Sequence, residues 1–168
     1  MKGEDGKLLI VVDMQNDLID GPLGTPEAQK IQYKVLDKII WYQKEYGLDV
    51  GSHIIYTQSE EHCIPYTDGW KVVEMLDMEE TPNGPLHIYK DTFGYGKWRV
   101  EYLDDYEEIE LVGVHTDTSV ITNALLLKTA FPDVEITVDA QCCAGTTPEH
   151  HRVALQAMKL SQINVVGG

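Results

Sequence analysis

Six short apolar runs punctuate the chain, at 8–13, 52–57, 86–89, 110–114, 134–139 and 162–166. Several are almost continuously apolar and rich in Val and Ile, which suits strands covered on both faces, as in a parallel sheet. Between them the apolar period lengthens to that of a helix. One helix starts at Thr25, with Pro26 at its first position and Glu27 next. Ala28, Ile31, Val35 and Ile39 recur at helical spacing, and Gly47 follows as a stop. A second helix is expected from about Thr116 to Ala130, closed by Pro132. A third opens at Thr146 or Thr147 with Pro148 and Glu149. It carries Val153, Ala157 and Leu160 on one stripe, with Ala154 and Met158 beside it. The stretch from about 60 to 105 keeps no period and is expected to be irregular.

This alternation predicts one domain over 1–168: an α/β three-layer α/β/α sandwich, Rossmann-like, with a mainly parallel six-stranded sheet. No repeat, low-complexity tract or flexible linker divides it. Ligands in such sheets sit outside the carboxyl ends of the strands. The residues just after each strand are therefore the ones to read for chemistry.

Composition narrows the function. With 28 acidic and 13 basic residues the net charge is −15. Nucleic acid and anionic membranes call for a basic face, so neither is an expected partner. The first seven residues form no apolar signal segment, and three cysteines make a poor disulfide framework. Both suit a cytoplasmic location. There is no Gly-x-Gly-x-x-Gly, no P-loop and no Cys-x-x-Cys, so dinucleotide, nucleotide and structural zinc readings lack support. The acids between Glu101 and Glu110 read as a solvated face.

Three strand ends carry candidate chemistry. Asp13 closes the first apolar run, where an acid is costly to bury without a partner or a task; a loop cap is the alternative. Lys90 follows the third strand and could pair with Asp13, or simply be exposed. Gly113-Val114-His115-Thr116-Asp117-Thr118-Ser119 leads from the fourth strand into a helix. Free N–H groups there would stabilise an anion or an oxyanion, but the same residues also make an ordinary polar cap. His150 and His151 read as solvated, and Cys142 and Cys143 as structural.

Together these segments resemble the isochorismatase/nicotinamidase-like cysteine hydrolases over nearly the whole chain. The resemblance rests on Val11-Val12-Asp13-Met14-Gln15-Asn16-Asp17, on Lys90 with Phe93, and most on Gly113 to Val120. The stretch from Val138 to Gly145, followed by Thr147-Pro148-Glu149-His150, adds to it. The family implies an Asp–Lys–Cys triad, with Asp13 as general base, Lys90 as its charge partner and the nucleophile at position 119. It also implies a cis Val114–His115 peptide and an oxyanion hole from the N–H groups of His115 and residue 119. The implied target is a small amide-type C–N or vinyl-ether-type C–O bond, above all that of a nicotinamide-like amide, and self-association as a homo-oligomer is implied as well. Phe93, Tyr95 and Trp70 are candidate walls for an aromatic substrate, with core packing as their other role.

Two departures matter. Position 119 is Ser119, and a hydroxyl is far harder to ionise than a thiol of pKa about 8.5. Little turnover is expected from such a site. Two origins fit: an exchange made to trap a ligand, which the intact motifs favour, or natural loss in a non-catalytic binding protein. The second departure concerns metal. Members with a divalent ion such as zinc carry Asp-x-His after the second strand and a later His-Cys. Here His62-Cys63-Ile64 and Thr67-Asp68-Gly69-Trp70 resemble the later part, but Thr57-Gln58-Ser59-Glu60-Glu61 runs straight into His62. No metal site is therefore assigned.

Overall fold

The computed structural model describes residues 6–47, 53–78 and 84–168. Six strands form one sheet: β1 (Lys7–Val12), β2 (Ile54–Ser59), β3 (Leu86–Lys90), β4 (Glu108–Val114), β5 (Glu135–Ala144) and β6 (Asn164–Val166). The spatial order is β3-β2-β1-β4-β5-β6, and every neighbouring pair is parallel. The expected α/β sandwich is thus the observed architecture. The expected second strand began at Ser52, which lies outside the described residues, as do Met1 to Asp5.

Alternation along β1 separates the two cores. Leu8, Ile10 and Val12 pack with residues of α3 (Ile121–Ala130) and α4 (Pro148–Leu160). Leu9 and Val11 pack with α2 (Pro26–Tyr46) and the short α1 (Asn16–Ile19). Both faces of the strand are therefore apolar, as its continuous run required. The long helix starts where its cap signals lie: the Thr25 side chain accepts from the Ala28 N–H at 3.0 Å, and Pro26 follows. Thr147 caps α4 in the same way, accepting from the His150 N–H at 3.0 Å.

The structure corrects the expected face of α4. Ala154, Leu155 and Met158 point inward, whereas Val153 and Leu160 are exposed. Two apolar stripes lie side by side on this helix, and packing against the sheet decides between them. β5 also runs on to Ala144, five residues past its expected end. It does so through a register shift opposite the segment between Leu111 and Gly113. The expected helix from Thr116 begins instead as a wide π-helical turn, Thr116–Val120, before α3 proper. Among the described residues between 60 and 105 the regular elements are β3 and short 3₁₀ turns at Glu74–Leu76, Trp98–Glu101 and Leu103–Asp105.

The strand order reverses between β1 and β4, so a crevice opens where their carboxyl ends diverge. Gly113 makes the close approach possible. Its φ is +121°, and a Cβ there would collide with the Val12 carbonyl. Gly113→Ala is expected to lower stability by about 2–4 kcal/mol, read as a reduced urea midpoint. An unchanged midpoint would show that the two strand ends tolerate separation.

Candidate active site

Asp13 leaves β1 with φ +51°, which turns its side chain across the end of the sheet. Its N–H donates to the Thr57 carbonyl at 3.1 Å, and the Thr57 hydroxyl donates to Asp13 Oδ1 at 2.8 Å. Lys90 starts two strands away, a span of roughly 10 Å. Only a long side chain covers that gap, and Lys90 Nζ donates to Asp13 Oδ2 at 2.7 Å. Both side chains are 1% exposed. Lys90 Nζ also stands 3.4 Å from the Thr92 carbonyl and 3.5 Å from Ser119 Oγ. The fold thus brings Asp13, Lys90 and Ser119 to one buried point from three different strand ends.

Ser119 sits in the π-helical turn. The N–H groups of Thr118 and Val120 both donate to the His115 carbonyl at 3.1 Å, and the Val114–His115 peptide is cis. The Ser119 carbonyl accepts from Asn123 Nδ2 at 2.9 Å. Asn123 is fully buried and makes three further bonds. Its Nδ2 donates to the Phe93 carbonyl at 3.2 Å. Its Oδ1 accepts from the Tyr95 N–H at 2.8 Å and from Trp98 Nε1 at 3.0 Å. One amide therefore ties the turn bearing Ser119 to the segment after β3.

A cavity of about 230 Å³ opens over this point, lined by Asp13, Leu18, Leu23, His62, Phe93, His115, Thr118, Ser119 and Thr146. Phe93, one of the three candidate walls, lines this cavity, and Tyr95 and Trp70 do not. The Tyr95 ring packs edge-on against Trp98, with centroids 4.9 Å apart, and its hydroxyl donates to Glu101 at 2.7 Å. Trp70 stacks on Tyr89 at 5.4 Å, and its carbonyl accepts from Gln15 and Gln58. Both rings pack on neighbouring aromatic rings, Trp98 and Tyr89, rather than on the cavity.

Burial holds the His115 imidazole below its ordinary pKa, against the opposing pull of Asp117 and Asp13. Burial works to raise the Asp117 carboxyl, but hydrogen bonds from Thr146 more than offset it and leave it below the usual range. All three thiols are buried and unpaired, and burial pushes Cys63 and Cys142 up to about 12.

The isochorismatase domain model matches residues 7–167. The chain belongs to the isochorismatase family. Its fold is that family's cysteine-hydrolase fold. Solved structures agree. The pyrazinamidase of Pyrococcus horikoshii in complex with zinc is 24% identical, with a TM-score of 0.78 over 95% of this chain and 98% of its own. The nicotinamidase of Staphylococcus aureus is 24% identical, with a TM-score of 0.74 over 95% and 97%. The N-carbamoylsarcosine amidase of Thermoplasma acidophilum is 21% identical, with a TM-score of 0.73 over 98% and 95%. No curated protein matches the sequence. No helix among the described residues is long and apolar enough to cross a membrane.

The zinc of the Pyrococcus structure raises the question of a metal here. Among the described residues of this isochorismatase-family chain, no group of three or more His, Cys, Asp or Glu is placed to hold one. His62 Nε2 lies 3.8 Å from Glu61, and its ring packs on Phe93 at 5.3 Å. These residues do not fit a resident metal.

Sequence reasoning missed Thr57, Asn123, Leu18, Leu23, Thr118 and Thr146. Asn123 carried a readable signal: an amide beside Ala124, Leu125, Leu126 and Leu127 is costly to bury unless bonded. The leucines carried none.

The buried pair sets a stability test. Lys90→Met strands a buried carboxylate and is expected to cost about 3–5 kcal/mol. The double variant Asp13→Asn with Lys90→Met should recover much of that loss. Urea unfolding of the single and double variants measures both. A single variant as stable as the parent would show that the pair carries no such charge.

Proposed function

We propose that this chain is a family amidohydrolase scaffold for a small, uncharged, nicotinamide-like amide, with position 119 as the acyl-accepting site. The observation that carries the reading is the buried Asp13–Lys90 pair beside Ser119, at the foot of a mostly apolar cavity. In the reaction, the nucleophile at 119 attacks the amide carbonyl carbon and its proton passes to Asp13. The carbonyl oxygen becomes an oxyanion held by the N–H groups of His115 and residue 119. Collapse breaks the C–N bond, and the amine leaves with the proton from Asp13. Water then attacks the acyl group, frees the acid and restores the nucleophile.

Serine alters the first step. Asp13 Oδ1 is engaged by Thr57 and Oδ2 by Lys90, while Ser119 Oγ meets the Lys90 ammonium rather than a base. A hydroxyl so placed keeps its proton, so the chain as written holds substrate with little turnover. That contact also favours a second reading, a non-catalytic small-molecule-binding protein on the same fold. Self-association, a cytoplasmic location with unpaired thiols, and no role for nucleic acid or membrane belong to both readings.

The test is Ser119→Cys. With a small amide panel including nicotinamide, ammonia release is expected to rise by at least about a hundredfold over the parent, or ~2.7 kcal/mol of barrier. Calorimetry should show that the parent still binds the same amide. A Ser119→Cys protein that folds and binds but releases no ammonia would replace the hydrolase reading with the binding-protein one.

A further inference from the structure

Helix α2 buries Ala28, Ile31, Val35, Ile39 and Tyr42 against the rest of the fold. Its opposite side carries three large apolar side chains in water: Tyr33 is 65% exposed, Trp41 46% and Ile40 36%. They surround Asp37, one turn before it and one turn after it. Single exposed apolar groups are ordinary, but a cluster on one helix face marks a contact surface. A cleft of about 420 Å³ runs beside the cluster, lined by Lys34, Asp37 and Trp41 of the helix and by Gln141 of β5. The helix therefore has open space along this side.

Charge says what kind of partner fits. The chain carries 28 acids against 13 bases, so two copies repel over most of their surfaces. α2 escapes that excess, with four lysines against three acids. Its outer side also has a regular spacing of three and four: Glu27, Lys30, Lys34, Asp37, Trp41 and Lys44, of which the last five are exposed. These are the a and d positions of a heptad, the seam along which helices pair. In an antiparallel pair each a position meets a d position of the other helix. Read against itself in that direction, the stripe is complementary. Glu27 meets Lys44 of the second copy, Lys30 meets its Trp41 and Lys34 meets its Asp37, each contact occurring twice about the two-fold axis. Two of these pairings join opposite charges, and the third sets an ammonium beside an indole ring. A parallel pair would place each charge against its own kind.

Resting on the self-association proposed above, we infer that the outer side of α2 is the surface that carries it, and that its partner is α2 of a second copy, packed antiparallel. The two Lys34–Asp37 pairs lie at the centre of the contact. Tyr33, Ile40 and Trp41 stand around them and exclude water.

Sedimentation equilibrium over a range of protein concentrations tests this, with circular dichroism to show that each variant keeps its helices. The unmodified chain is expected to reach twice its monomer mass of 18.9 kDa. Lys34→Asp and Asp37→Lys each set like charges against each other at the centre, and each should weaken the dimer about tenfold or more. The double exchange restores opposite charges across the axis and should return the affinity to within about threefold of the unmodified chain. Trp41→Ala, an exposed change that leaves the core intact, should also cost about tenfold. A chain that stays at the monomer mass at every concentration overturns the self-association reading and this inference with it. A dimer unmoved by Lys34→Asp, Asp37→Lys and Trp41→Ala overturns the surface and leaves self-association standing. A dimer weakened by the single exchanges but not recovered by the double one overturns the antiparallel pairing.

Discussion

The buried Asp13–Lys90 ion pair is the constraint on which the rest of the site depends. Taking two charges out of water is expensive, and the cost is offset only by close contact and full hydrogen bonding. Here the contact is 2.7 Å and Thr57 occupies the other carboxylate oxygen. The partners come from β1 and β3 with β2 between them, so the pair exists only in this strand order. It also sets the electrostatics of position 119, because the same ammonium that neutralises Asp13 lies 3.5 Å from Ser119 Oγ. The site thus presents an atom at 119 with a fixed cation, beside a carboxylate that holds one hydrogen bond at each oxygen. That arrangement favours an easily ionised nucleophile and does little for a hydroxyl.

Around this pair the fold uses satisfied polar groups where apolar packing alone would leave the loops loose. Gln15 is wholly buried; its Nε2 donates to the carbonyls of Ser59 and Trp70, and its Oε1 accepts from the Ser59 N–H. It ties the turn after β1 to the end of β2. Asn123 does the same on the other side, joining the Ser119 carbonyl to the segment that holds Phe93. Its bond to a carbonyl four residues back accompanies the widening of the helix start into a π turn, the kind of local departure in which a side chain enters the backbone ladder. Both amides use donor and acceptor alike, so neither leaves a costly orphan.

Much of this was legible in the sequence for a physical reason. Strands covered on both faces must be apolar throughout, as β1 is, and each of the six runs overlaps a strand even though the edge strands β3 and β6 stay partly exposed. Acids and lysines at the ends of such runs stand out because burial makes them expensive, which pointed to Asp13 and Lys90. Other features depend on three-dimensional packing. On α4, Val153 and Leu155 are equally apolar, and only the position of the sheet decides which turns inward. β5 continues through a register shift that its composition does not announce. Tyr95 and Trp70 were plausible walls by type, but their neighbours Trp98 and Tyr89 claim them. Leu18 reaches the cavity from the single-turn α1 and Leu23 from the turn after it, segments too short for a period to mark.

On the proposed reading, Lys90 and the turn Thr116–Val120 stabilise negative charge at position 119. The most direct measurement is the pH dependence of iodoacetamide alkylation at that position in Ser119→Cys, located by peptide mass spectrometry. The native thiols are buried and held in the protonated form, so they leave a clean background. The account predicts rapid alkylation that persists to about pH 6, well below the ordinary thiol pKa of about 8.5. Alkylation that falls away around that ordinary value would contradict it, because the site would then lack the field that gives the nucleophile its reactivity.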